Sequence, residues 1–231
     1  MLSISNISKI YPSRVGAEPV IALDGVSFDV EEKEFVSIVG KSGAGKTTLL
    51  KLILAEEKPT KGDIFFQGES IYNFKKSQIP KYRQKIGTVF QDYKLFPSKT
   101  VYENLAYVME VMGASDKDIE RDVCQVLGLV GLEGKACNFP FELSGGEKQK
   151  VSLARAFIHR PDMILADEPT GNLDPYNTFD IIKLLIKIYK LGTTVVLATH
   201  DKEVINSLGR RVITLDEGRV IRDEKRGRFL L

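Results

Sequence analysis

Long apolar runs are what this sequence lacks most. Even the stretch Ile181 to Leu191 is interrupted by Lys183, Lys187 and Lys190. A bilayer-spanning helix needs about 20 consecutive apolar residues, so the chain is expected to be soluble, with any membrane role exercised through a partner. Met1 to Tyr11 lacks the basic-then-apolar layout of a secretory signal. An excess of one charge is absent too: 33 basic and 31 acidic side chains leave a net +2 over 231 residues. That balance argues against a protein built mainly to hold nucleic acid. Cysteine is confined to Cys124 and Cys137. Their spacing is not that of a zinc site, and both are expected to be buried or inert thiols rather than a disulfide. No internal repeat or low-complexity segment is present. What remains is ordinary globular composition, 43% hydrophobic and 28% charged, in a chain long enough for one sizeable core.

The most informative stretch is Gly40-Lys41-Ser42-Gly43-Ala44-Gly45-Lys46-Thr47-Thr48, which fits G-x-x-x-x-G-K-[ST]. It lies between an apolar run, Phe35 to Val39, that reads as a buried strand, and a helix expected from Thr47 to Leu54. That context makes it a phosphate-binding loop. Glycines let the backbone approach phosphate oxygens closely, and successive N–H groups form an anion nest at a helix N-terminus. Lys46 is expected to reach the β- and γ-phosphates, and the Thr47 hydroxyl to ligate Mg²⁺.

Around this loop the periodicity is that of an α/β protein with a mostly parallel sheet. Leu2 to Ile7 and Val20 to Val30 alternate like half-buried strands, the second interrupted by Asp24-Gly25, a hairpin signal. Tyr11 follows the first; it can stack on a nucleotide base or simply pack. Ser13 to Pro19 reads as a polar loop. Asp63 to Gln67 and Ile86 to Phe90 read as strands flanking a helical piece, Ser77 to Lys85. From Asp92 to about Ile158 the pattern is helical: Val101, Leu105, Val108 and Met112 form one stripe, and Ser115 caps the next helix. Met163 to Ala166 and Thr194 to Thr199 are apolar strands, separated by a helix from Asn177 whose core stripe is Phe179, Ile182, Leu185 and Ile186. Arg211 to Leu215 and Arg219 to Ile221 form a closing hairpin, followed by a frayed tail from Arg222 to Leu231.

Other candidates cluster at strand ends. Asp167 and Glu168 follow an apolar strand, where a carboxylate orients Mg²⁺ through its waters and the next acid can polarise a water attacking the γ-phosphate. Gln91 and His200 each end a strand, where ligands gather in doubly wound sheets; taken alone, each also reads as a satisfied polar residue. His159, before Arg160-Pro161, suits a helix C-terminus as a cation. Ser144 and Glu147 form a capping box. A cap does not account for Gly145-Gly146, which suits close approach to a phosphate. A single nucleotide touched by both this helix and the phosphate loop would require two copies of the protein facing each other.

These residues together resemble the nucleotide-binding domain of ABC ATPases over essentially the whole chain: the phosphate loop, Gln91, Leu143 to Gln149, Asp167-Glu168, Asn172-Leu173-Asp174 and His200 occur in that family's order. The resemblance implies a single domain over 1–231, with a P-loop NTPase core of RecA-like type (1–91 and 159–231, including an N-terminal antiparallel β region) and an inserted helical signature subdomain (92–158). It implies an ATP-dependent head-to-tail homodimer holding two ATP molecules. Tyr11 matches the adenine-stacking aromatic, Glu168 the general base and His200 the γ-phosphate sensor. Thr47, Gln91 and Asp167 match Mg²⁺-linked positions. Ser144, Gly145, Gly146, Glu147 and Asp174 would act on the ATP of the opposite subunit. Leu165 to Asp174 looks like the branch containing cell-division ATPases and their sister families LolD and MacB. Thr48 to Ile53, Gly113 to Ser115 and Asn138 to Pro140 look most like the cell-division members. That implies a peripheral place on the cytoplasmic side of the membrane, an FtsX-like integral membrane partner contacted near Tyr93, Leu95 and Phe96, and indirect control of peptidoglycan hydrolases. The sister resemblance implies lipoprotein or macrolide export instead. A non-enzymatic alternative is an ATP-gated scaffold, whose expected mark, a missing base or lysine, is not found here.

Overall fold

The structure is a computed structural model describing residues 1–12 and 18–228. Most of the loop expected from Ser13 to Pro19, and the terminal Phe229-Leu230-Leu231, lie outside the described residues. The chain divides into two compact units, Met1–Lys85 with Thr194–Leu231, and Ile86–Thr193. The first opens with β1 (Leu2–Tyr11), β2 (Val20–Val30), β3 (Phe35–Val39), α1 (Lys46–Ile53), β4 (Lys61–Phe66), β5 (Glu69–Ser70) and α2 (Ile79–Arg83). The second contains β6 (Ile86–Phe90), α3 (Val101–Val111), α4 (Asp116–Val130), α5 (Gly145–Phe157), β7 (Met163–Asp167) and α6 (Pro175–Lys190). The chain re-enters the first unit with β8 (Thr194–Thr199), α7 (Lys202–Leu208), β9 (Arg211–Asp216) and β10 (Arg219–Glu224).

In the first unit β3 pairs in parallel with both β8 and β9. Every residue of β3 and β8 is buried, as expected of strands covered on both faces. The register joins Val39 to Thr199 and to Thr214. Gly40, at the start of the phosphate loop, and His200 therefore leave the sheet at the same edge. An antiparallel sheet orders its strands β2-β1-β4-β5 and shows the expected alternation, with Leu2, Ile4, Leu23, Val26, Phe28 and Val30 buried.

Asp24-Gly25 is not a hairpin turn. Both flanks of this dipeptide pair with β1, Leu23 opposite Lys9 and Val26 opposite Ile7, with a register shift between them. A hairpin would need the flanks to pair with each other. Gly25 takes φ +64, the conformation of a bulge, and lets Leu23 and Val26 both face the core. The closing strand also runs further than expected. Arg222, Asp223 and Glu224 pair with Thr214, Ile213 and Val212, where a frayed tail was expected. Arg211 holds that end, donating to Asp223 at 2.6 and 2.8 Å and to Glu34 at 3.0 Å.

In the second unit β6 and β7 run parallel, with Phe90 opposite Asp167. The signature helix α5 lies directly on β6: a Cβ at Gly87 would come within 2.1 Å of the Ala156 carbonyl oxygen. Helices α3, α4 and α5 share a core that includes Val101, Leu105, Met109, Val123, Leu127 and Val151. The α3 stripe is Val101, Leu105 and Met109 rather than one ending at Met112, which is exposed. On α6 the buried stripe is Ile181, Ile182, Leu185 and Ile188. Phe179, expected in the core, is exposed with Lys183 over its ring at 4.1 Å. That helix begins at Pro175, ahead of Asn177, because Asp174 caps it. Cys124 and Cys137 are free and exposed.

His159 corrects a further expectation. It follows α5, yet burial pushes its pKa below the ordinary 6.5, so the imidazole is neutral near pH 7. Above 6.5 both folded and unfolded states carry a neutral ring. Below it the unfolded chain takes up the proton first, so stability falls as pH falls. Urea midpoints should therefore drop between about pH 7.5 and pH 5.5, and His159→Gln should flatten this drop. A variant with an unchanged slope would show that another group controls it.

Candidate active site of a phosphate-binding ATPase

The phosphate loop is shaped by close packing behind it and openness in front. A Cβ at Gly40 would lie 2.4 Å from the Leu215 carbonyl oxygen, and one at Gly45 2.5 Å from that of Ala22. Gly45 takes φ +102 and Gly43 φ +82, and nothing lies within 4 Å of a Cβ built on Gly43. The rear glycines are thus required by the β framework, while Gly43 leaves the front open to a ligand. Lys41, Ser42 and Thr47 are exposed and Thr48 half-buried, whereas Ala44 is buried. Lys46 is only 6% exposed. Its ammonium donates to the carbonyls of Gly40 at 2.7 Å and Lys41 at 3.1 Å, which holds the charge at the centre of the loop.

Gly45 precedes helix α1 and offers no side-chain cap, and the first turn of the helix contains no acid. Among described helices of eight or more residues it is alone in lacking a side-chain cap: Thr100, Ser115, Ser144 and Asp174 cap α3, α4, α5 and α6. The first N–H groups of α1 have no acceptor further back in the helix, and the positive end of its dipole faces the loop. Lysine, open nest and uncapped helix end together fit a polyphosphate. In the same unit His200 is exposed beside this loop, at the end of β8. Tyr11 has another engagement. Its hydroxyl donates to Glu57 at 2.8 Å, and Lys9 sits over its ring at 4.9 Å.

The second unit assembles Gln91, Asp167 and Glu168 at the ends of the adjacent parallel strands β6 and β7. Glu168 takes φ +47, a left-handed conformation costly for a residue with a Cβ. Its carbonyl accepts from Gly171 at 3.1 Å, so the turn after β7 keeps this backbone in place. Gln91 donates to Asn172 at 3.1 Å, and Asn172 donates back to the Gln91 carbonyl at 3.3 Å. This pair ties the strand-end glutamine to the segment carrying Glu168. Asn172 belongs to a motif quoted above, but its contact with Gln91 is long-range and has no local sequence signal.

The signature segment is a capping box in the structure. The Ser144 hydroxyl accepts from the Glu147 amide at 3.3 Å, and the Glu147 carboxylate accepts from the Ser144 amide at 2.8 Å. The Ser144 backbone bond, the Ser144 hydroxyl and the nearby Lys135 and Lys150 hold the Glu147 carboxyl below its ordinary pKa. Gly146 has a packing reason beyond phosphate access: a Cβ there would lie 1.9 Å from Asn177 Oδ1 on α6. Asp174 caps that helix, accepting from the amides of Tyr176 at 2.9 Å and Asn177 at 3.0 Å and from the Asn177 side chain. Asn177 thus touches both the Gly146 position and Asp174, a role no sequence pattern marked.

A phosphate loop on parallel strands, an acid pair at a strand end and a serine-capped signature helix define an ATP-hydrolysing cassette. The chain belongs to the ABC transporter family, whose model matches residues 23–171, and it is an ATP-binding ATPase of that type. It is similar to the cell division ATP-binding protein FtsE of Bacillus subtilis (strain 168), with 47% identity over 229 residues, covering 99% of this chain and 98% of the relative. It is also similar to FtsE of Escherichia coli (strain K12), with 44% identity over 218 residues, covering 94% of this chain and 96% of that one. Among solved structures, the ATP-binding cassette MJ0796, dimeric in a post-hydrolysis state bound to ADP and Pi, superposes with a TM-score of 0.88 and 36% identity, covering 99% of this chain and 100% of that chain.

The geometry makes Gly45 a sensitive position. Gly45→Ala would press a methyl into the Ala22 carbonyl and strain a positive φ. It is expected to weaken ATP binding at least tenfold and to destabilise the fold by about 1–3 kcal/mol. Isothermal titration and urea unfolding would measure the two effects, and wild-type affinity would refute this account of the loop.

Proposed function

We propose that this chain is the ATP-hydrolysing subunit of a bacterial cell-division ABC complex, working as an ATP-dependent homodimer. The observation that carries this reading is the near-full-length likeness to FtsE proteins at 44–47% identity, joined to an intact phosphate loop and acid pair. The dimeric state of the MJ0796 cassette supports the two-copy arrangement. All 231 residues then serve as one functional cassette. In each copy the phosphate loop, Gly40 to Thr48, cradles the phosphates, with Lys46 on the β- and γ-oxygens. Ser144, Gly145, Gly146, Glu147 and Asp174 act on the nucleotide of the other copy, where the dipole of α5 favours its γ-phosphate.

Hydrolysis follows from these roles. Glu168 accepts a proton from the attacking water, while His200 and Lys46 stabilise charge on the γ-phosphate. Thr47, Gln91 and Asp167 would hold Mg²⁺, which neutralises charge on the β- and γ-oxygens when bound. Tyr11 offers a ring for adenine on the face that Lys9 leaves open.

Closure and reopening of the dimer would move an FtsX-like integral membrane protein and thereby control peptidoglycan hydrolases. No helix among the described residues is long and apolar enough to cross a membrane, in keeping with a peripheral place on the cytoplasmic side. The partner would dock near Gln91 to Phe96. Phe96 is 39% exposed and meets Tyr107 of α3 edge-on at 5.2 Å, while Val111 and Met112, at the end of that helix, are also exposed.

Two measurements test the reading. Glu168→Gln should slow hydrolysis by about a hundredfold or more and accumulate an ATP-bound dimer on size-exclusion chromatography; hydrolysis at the wild-type rate would remove Glu168 as the base. Affinity purification from membranes should recover an FtsX-like protein. Recovery of a lipoprotein-release or macrolide-export permease would transfer the chain to that alternative.

A further inference from the structure

Helix α5 carries the signature at its N-terminus and, three turns later, Arg155. This residue is half-buried, and among the described residues no carboxylate lies within ion-pair distance of it. Partial burial of a cation without an acid beside it costs desolvation free energy, so what it contacts is informative. It donates to the Tyr93 carbonyl at 3.2 Å and lies 5.6 Å from the centre of the Phe96 ring. Both contacts fall on the loop that follows Gln91.

That loop is strained. Tyr93 takes φ +59 and Lys94 φ +48. Two consecutive left-handed residues with side chains are unfavourable by themselves and persist only where surroundings hold them. Three holds are visible. Gln149, also on α5, donates to the Phe90 carbonyl at 3.2 Å, just before Gln91. Asn104 accepts from the Phe96 amide at 2.9 Å and donates to the Phe96 carbonyl at 3.2 Å. Arg155 grips the middle, at the strained residues. A Cβ on Gly145 would lie 3.1 Å from the Tyr93 hydroxyl, so the first residue of the signature helix also meets this loop.

We propose that Arg155 is a positioning residue for Gln91. It latches the strained Tyr93-Lys94 turn to the signature helix, so that Gln91 is presented for hydrolysis only while helix and loop keep this arrangement. The inference rests on the reading of Gln91 as part of the ATPase site. It adds a specific mechanical link between the helix that faces the second nucleotide and the glutamine serving the first.

The test uses the full chain. Arg155→Gln removes the charge and shortens the reach. Hydrogen exchange at the Tyr93, Lys94 and Phe96 amides should accelerate by about tenfold or more, with α4 amides unchanged. The kcat for ATP should fall about ten- to hundredfold with little change in KM, because nucleotide binding belongs to the phosphate loop. Lys94→Gly placed in the Arg155→Gln background should restore much of the lost kcat, since glycine adopts the left-handed region without a Cβ clash. A residue needed only for packing would not be rescued this way. Arg155→Lys, able to donate to the Tyr93 carbonyl but not to present a planar fork, should be intermediate, and it takes over the test if the glutamine variant does not fold. Unchanged loop exchange, a KM that rises in step with the loss of kcat, or no recovery with Lys94→Gly would overturn the proposal. Gln91→Ala serves as a control: a wild-type rate there refutes the role of Gln91, while the exchange measurement still decides whether Arg155 holds the loop.

Discussion

Strand β3 is the constraint on which the nucleotide site depends. Its five buried residues sit between β8 and β9, and the parallel hydrogen-bond register leaves no freedom in where the chain emerges. A one-residue slip would turn its side chains to the opposite face and move Gly40 away from the Leu215 carbonyl that it nearly touches. The phosphate loop is therefore not a flexible Gly-rich connection. Its rear is moulded by the backbone carbonyls of Ala22 and Leu215, and only its front, at Gly43, is open. Rigidity behind and access in front are what an electrostatic cradle requires, since oriented dipoles help only if they need not reorganise when charge arrives.

The second unit uses the same device with different chemistry. Parallel pairing of β6 and β7 aligns Gln91 with Glu168, and reciprocal hydrogen bonds between Gln91 and Asn172 add a side-chain tie. Strain recurs where function is expected: Glu168, Tyr93 and Lys94 all occupy left-handed backbone conformations. Each is held by identifiable partners, the Gly171 amide in one case and Arg155 in the other. The signature helix is the common element. It offers a serine-capped N-terminus, grips the Gln91 loop through Gln149 and Arg155, and packs on β6 so closely that residue 87 must be glycine.

Local chemistry written in consecutive residues was legible without coordinates. Gly40 to Thr48, the capping box of Ser144 and Glu147, and the apolar strands Phe35 to Val39 and Thr194 to Thr199 are patterns of nearest neighbours, and the folded chain contains them as read. The family's ATPase chemistry was legible for the same reason, because it resides in short motifs. Errors arose where a local signal competed with a distant partner. Asp24-Gly25 has the composition of a tight turn, but β1 pairs across it and makes it a bulge. His159 has the position of a helix-terminal cation, but the packing around it excludes water and leaves it neutral. Phe179 has helical spacing for the core, but the packed face of α6 passes through Ile181, Ile182, Leu185 and Ile188 and leaves the ring exposed.

The sequence by itself thus determined the α/β class, the phosphate loop, the acid pair and the signature cap, because each depends on residues adjacent in the chain or on a short period. Tertiary structure alone decided that Gly146 must also clear Asn177, that Asn172 secures Gln91, and that a half-buried Arg155 meets a strained turn more than sixty residues earlier in the chain. These are contacts between segments that meet only after folding. No propensity or periodicity in either partner encodes them, since their free energy exists only when burial and register have already brought the two together.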